Sequence, residues 1–108
     1  MLRKPAVAGA FYPDDPEILA RTIENCFLDD FGVGEIPEMG KFDGIDYPIN
    51  VMVPHAGYQY SGAVASHGYS KLVQNGFPEV FIILSPNHTG YGREVSVFNE
   101  GEWITPLD

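Results

Sequence analysis

Cysteine is nearly absent: Cys26 stands alone, so no intrachain disulfide framework can form, and the composition fits a reducing compartment. Basic residues are scarce, with six Lys and Arg against fifteen Asp and Glu, a formal charge of −9. Such a surface repels phosphate backbones and anionic bilayers, which argues against nucleic acid and membrane as partners. No apolar run approaches the roughly 20 residues a spanning helix needs. Residues Met1–Ala10 carry Arg3 and Lys4, but Phe11, Tyr12, Pro13 and two aspartates interrupt the chain before a signal-peptide core can form. The expectation is a cytoplasmic protein. Internal repeats and low-complexity segments are also lacking.

What is present suits one globular domain. Hydrophobic residues make up 44% and charged residues 19%, well away from disordered compositions. A chain of this size buries roughly 60–70% of its extended surface on folding, enough for a core.

The first strong element opens at DDPE. Asp14 or Asp15 can cap a helix, Pro16 suits its first turn, and Glu17 complements the positive end of the dipole. Leu19, Ile23, Cys26 and Phe27 then share one face, predicting an amphipathic helix over about 16–28. Cys26 lies in that stripe with Asp29 and Asp30 beside it, so the expectation is a buried, inert thiol. Phe31–Tyr47, rich in Gly, Pro and acidic residues, reads as an irregular connection.

The segment PINVMV, apolar without alternation, predicts a strand covered on both faces. HAGYQY follows as a loop, Ser61 is a plausible N-cap, and a helix runs over about 62–74 before Asn75 and Gly76 close it. EVFIIL is a second buried-strand pattern ending at SPNHTG, and EVSVF a further short one. Strand, helix and strand within roughly 35 residues have the order of a βαβ unit. The fold class is therefore α/β.

Parallel strands release their loops at one sheet edge, where open α/β sheets bind ligands. His55 follows the first strand and His88 the second, 33 residues later. Adjacent strands lie about 4.8 Å apart, which permits two imidazoles to share an ion at about 2.0–2.1 Å each. A stable site wants three or four protein ligands, and only these two converge. His67 sits on the crossover helix and is expected to pack there instead.

Rival chemistries fail on the same loops. GYQYSGAV has Walker-like glycines, but Ala63 and Val64 stand where Lys and Ser or Thr are required. Ser85, in LSPNH, lacks the G-x-S-x-G elbow of a nucleophile. The helix opening at Ser61–Ala63 offers backbone N–H groups to an anion. Tyr58 and Tyr60 in the first loop, and Tyr91 after the second, can wall a small cleft.

Four ordered motifs, RKPAVAGAFYP, VPHAGYQYSGAVASHGY, FIILSPNH and WITPL, resemble the Memo family, the B component of the AmmeMemoRadiSam system. The resemblance covers nearly all of this chain but well under half of a family protein, making residues 1–108 the N-terminal part of a single Memo-like α/β domain. It implies a three-layer α/β/α sandwich related to class III extradiol dioxygenases. It also implies a metal pocket of three histidines and a cysteine, with His55 and His88 matching the first two histidines. Cys26 does not match the ligand cysteine, and the other ligands belong to later segments. Phe11 and Tyr60 match aromatics of the pocket wall. Where the family often has Gly after TPL, this chain has Asp108.

The resulting expectation is a metal-dependent, dioxygenase-like or redox protein. His55 and His88 are its ligands, Phe11, Tyr58 and Tyr60 its cleft, and iron or copper its metal, both of which accept imidazole and thiolate. No residue is singled out for an acid–base or nucleophilic role. The alternative is a non-enzymatic pocket for a small anion or a phosphotyrosine-type peptide. The chain is expected to associate with the missing C-terminal portion or with itself.

Overall fold

Asp15 accepts a hydrogen bond from the Ile18 amide at 2.9 Å and so caps the first helix, α1, which spans Pro16–Leu28 with proline at its start. The computed structural model describes residues 1–40 and 49–108. Along α1, Leu19 is buried and Ile23, Cys26 and Phe27 are half-buried, whereas Arg21, Glu24 and Asn25 face solvent. The apolar stripe therefore points inward as its spacing requires. Thr22 satisfies its hydroxyl within the helix by donating to the Ile18 carbonyl at 2.7 Å.

The second helix, α2, spans Ala63–Gln74, and a π-helical turn over Tyr58–Gly62 leads into it. Ser61 is not its N-cap, a correction to the sequence expectation. Gly62 holds that place in right-handed helical conformation, and the Ser61 hydroxyl donates backward to the Ala56 carbonyl at 3.0 Å. The preceding turn already runs helically into α2, so an accepting cap has no role there. At the other end Asn75 donates to the Leu72 carbonyl, and Gly76 takes the left-handed φ of 90° that glycine tolerates best.

These helices pack directly on one another. A Cβ built on Gly62 would collide with Cys26 Sγ of α1, and one on Gly68 with Val53 Cγ1. Glycine thus lets α2 approach α1 on one side and the 51–53 segment on another. Val33 donates its amide to Ser66 Oγ at 3.2 Å, anchoring the loop that leaves α1. Among the described residues the core lies here, in Leu19, Ser61, Ala65, Ser66 and Ser70. It is small, and three of these five side chains are serines.

The ordered sheet is a two-stranded parallel pair, β1 (Leu2–Arg3) with β2 (Glu102–Trp103). The Glu102 amide donates to Met1 and the Ile104 amide to Arg3, both at 2.9 Å. Arg3 lies over the Trp103 ring at 4.3 Å, a cation–π contact that ties the two ends of the chain together.

PINVMV and EVFIIL differ from expectation. Pro48 lies outside the described residues, as does part of the Phe31–Tyr47 connection, while residues 49–53, 79–84 and the EVSVF segment carry no strand ladder. A strand exists only through a paired neighbour, and apolar faces hold one only when something covers them. Here Ile82 is 84% exposed, Ile83 86% and Leu84 91%. The radius of gyration, 15.3 Å, exceeds the about 13 Å of a compact chain this long. The architecture is mixed helix with a small parallel sheet, consistent with part of an α/β fold. Among the described residues no helix is long and apolar enough to cross a membrane.

Candidate metal site

His55 stands just past the segment that packs under Gly68 of α2, and His88 in the turn after the uncovered Val80–Leu84 run. Their Nε2 atoms are 3.0 Å apart, with ring centroids separated by 5.1 Å and planes inclined by 42°. That is hydrogen-bond distance between two ring nitrogens, with the donor set by the tautomers. Two nitrogens at about 2.0–2.1 Å from one ion stand about 2.9 Å apart at a right angle and about 3.3–3.4 Å apart in a tetrahedron. The observed 3.0 Å lies near the right-angle value and short of the tetrahedral one.

Each loop is tied by its own residues. In the first, Tyr60 and Ser61 donate their amides to the Gly57 carbonyl, and the Ser61 hydroxyl holds Ala56, the residue after His55. In the second, Asn87 Oδ1 accepts from the Thr89 amide, the Thr89 hydroxyl and the Gly90 amide, at 3.2, 3.1 and 3.0 Å. Its Nδ2 donates to the Tyr91 carbonyl at 2.9 Å. Neither tie was foreseen. Asn-x-Thr-Gly after an apolar run is a turn signature, and it would have identified Asn87.

Phe11 reaches this neighbourhood through a turn in which Gly9, at φ 79°, donates to the Tyr12 carbonyl at 2.7 Å. A Cβ on Gly57 would lie 3.7 Å from the Tyr60 ring and 4.0 Å from the Phe11 carbonyl. An open groove of about 410 Å³ runs between this turn and the first loop, lined by Phe11, Tyr12, Tyr58 and Gln59. Phe11 and Tyr60 are 72% and 78% exposed, so their rings are free to meet a ligand. Burial, then the neighbouring Tyr69, Cys26 and Tyr12, push the Tyr58 phenol up. It keeps its proton at neutral pH and remains a donor.

His67 and Cys26 lie apart from the pair. His67 Nε2 donates to the Phe31 carbonyl at 3.1 Å, bracing α2 against the loop after α1. We expect His67→Ala to lower stability by about 0.5–1.5 kcal/mol in a urea melt and to leave metal stoichiometry unchanged. Loss of metal at constant stability would contradict this placement.

Cys26 is half-buried rather than fully buried, with Sγ 3.9 Å from the Tyr58 carbonyl. Burial first, and the Asp29 charge second, push its thiol up. The folded chain therefore holds this proton more tightly than the unfolded chain. The resulting stability is complete below about pH 8.5 and is lost as pH rises through the folded-state value. At pH 7.5, iodoacetamide should modify Cys26 about 10-fold more slowly than free cysteine. An equal rate would refute the protected environment.

Among the described residues no three His, Cys, Asp or Glu side chains cluster as a complete metal-binding group.

The family model for Memo, described as Memo-like protein, matches residues 3–108. A MEMO1 family protein of Methanobrevibacter smithii is 71% identical over 107 residues, which are 99% of this chain and 38% of that protein. MEMO1 family proteins of Methanothermobacter thermautotrophicus and Metallosphaera sedula are 50% and 52% identical, again over 99% of this chain and 38% of each relative. No solved structure matches. The chain spans about 38% of the length of these relatives. It belongs to the family of Memo-like proteins, as an N-terminal portion.

Proposed function

We propose that this chain supplies the first two imidazole ligands of a metal pocket, in a Memo-type α/β/α sandwich whose later segments bring the rest. The 3.0 Å separation of His55 and His88 Nε2 carries this reading. Iron(II) or copper fits the donor chemistry, since both accept imidazole and thiolate. When bound, such an ion supplies dioxygenase-like or redox chemistry. The chain's own residues orient and enclose: Tyr58 holds a phenolic proton beside the groove, and Phe11 and Tyr60 present apolar faces to a small organic ligand.

The experiment is anaerobic titration of the gene-encoded chain with iron(II) and with copper, for the wild type, His55→Ala and His88→Ala. Loss of an outer-shell partner costs about 10–100-fold in metal affinity, so removing either ligand should cost about 100-fold or more. Equal affinity in all three proteins would defeat the reading.

A second reading draws on the exposed aromatic groove lined by Phe11 and Tyr58. There the pocket holds a phosphotyrosine-type peptide or small anion without catalysis. Binding of a phosphotyrosine peptide that survives complete chelation would favour it, and binding that disappears with the metal would favour the first.

A further inference from the structure

We infer that Ser61 and Asn87 are positioning residues that set the spacing of the two imidazoles before any ion arrives. This rests on the metal reading for its purpose but not for its geometry. Neither side chain touches an imidazole. Each acts through the backbone next to one.

Ser61 is 9% exposed, and its hydroxyl fixes the carbonyl of Ala56, so the backbone leaving His55 is tied to the turn that opens α2. Asn87 immediately precedes His88 and makes four hydrogen bonds with Thr89, Gly90 and Tyr91, three as acceptor and one as donor. Those bonds close the Asn87–Tyr91 turn around His88. One loop is thereby attached to a helix, and the other is closed on itself.

The energetic logic is preorganisation. Two histidines on slack loops must lose backbone freedom when they first share an ion, at about 1–2 kcal/mol per residue ordered. Ties that are already made remove that cost from binding. A ligand pair needs its nitrogens held to within about 0.5 Å, and the hydrogen bonds flanking each histidine restrict the backbone that carries the ring.

The test compares Ser61→Ala, Ser61→Thr, Asn87→Ala and Asn87→Asp in the gene-encoded chain. Threonine keeps the hydroxyl donor, and aspartate keeps the three acceptor contacts. The first readout, independent of metal, is the set of NMR cross-relaxation peaks between the His55 and His88 ring protons. The second is iron(II) affinity, and the third the thermal midpoint.

We expect the ring-to-ring peaks to vanish in both alanine variants and persist in both conservative ones. Iron(II) affinity should fall about 10–100-fold in step with the peaks, with little change in thermal midpoint. Peaks that persist in the alanine variants overturn the inference. So does their loss in all four variants together with loss of cooperative melting, which marks general destabilisation. Wild-type protein that shows the peaks but binds no iron(II) or copper defeats the metal reading alone, and the peaks then decide the positioning role.

Discussion

Gly62→Ala is expected to destabilise the gene-encoded chain by about 1–3 kcal/mol, although the same change inside an open helix would gain up to about 1 kcal/mol. The sign reverses because the new methyl group would run into Cys26 Sγ, with Cys26 Cβ also 3.3 Å away. The α1–α2 contact must then open. Cys26→Ala removes the obstructing sulfur, so the double variant should recover most of the loss, and the urea-melt cycle yields a coupling energy. Strictly additive effects would show that the helices do not meet there. Gly68→Ala acts on the other side of α2, where it strikes Val53, a β-branched residue with little rotamer freedom. Val53 precedes His55 by two positions. This change should therefore also displace that ring and weaken metal binding, whereas Gly62→Ala should chiefly affect stability.

The second large effect is association. Expressed alone, these 108 residues should form oligomers or aggregates in light scattering and bind iron(II) or copper weakly, without one-to-one stoichiometry. Ile82, Ile83 and Leu84 form a nearly fully exposed apolar run, flanked in space by no ladder partner among the described residues. Large contiguous apolar patches are rare on soluble monomers and mark interfaces. Ile82→Lys with Leu84→Lys should shift the isolated chain toward monomer, because the added charges repel at the shared face. The same pair in a longer chain that covers this run should be strongly destabilising, as buried unpaired charges are. A monodisperse, cooperatively melting wild-type fragment holding one tight equivalent of metal would overturn the expectation.

Local physics made much of the molecule legible. The α1 stripe, the choice of Asp15 and Pro16 at its start and the Asn75–Gly76 stop of α2 depend on bonds within a few residues. Sequence spacing reports such bonds directly. The nearness of His55 and His88 was also anticipated, although its stated rationale was a parallel ladder, and residues 49–53 and 79–84 form none. Metal ligation by that pair stays a proposal.

The order of the two helices, the start and inward face of α1, the stop of α2, and the likeness to Memo-like proteins were therefore determined by sequence alone, because periodicity, capping and motif order are local properties of the chain. Tertiary structure decided the rest. The pairing of Leu2–Arg3 with Glu102–Trp103 joins exposed two-residue segments a hundred positions apart, too short to leave a pattern. Ser61 became a backward donor because the turn before α2 was already helical, and Gly62 became indispensable because Cys26 lies opposite it. Whether an apolar run becomes a strand depends on a partner and a covering layer, both non-local, and for Val80–Leu84 neither is supplied within the described residues.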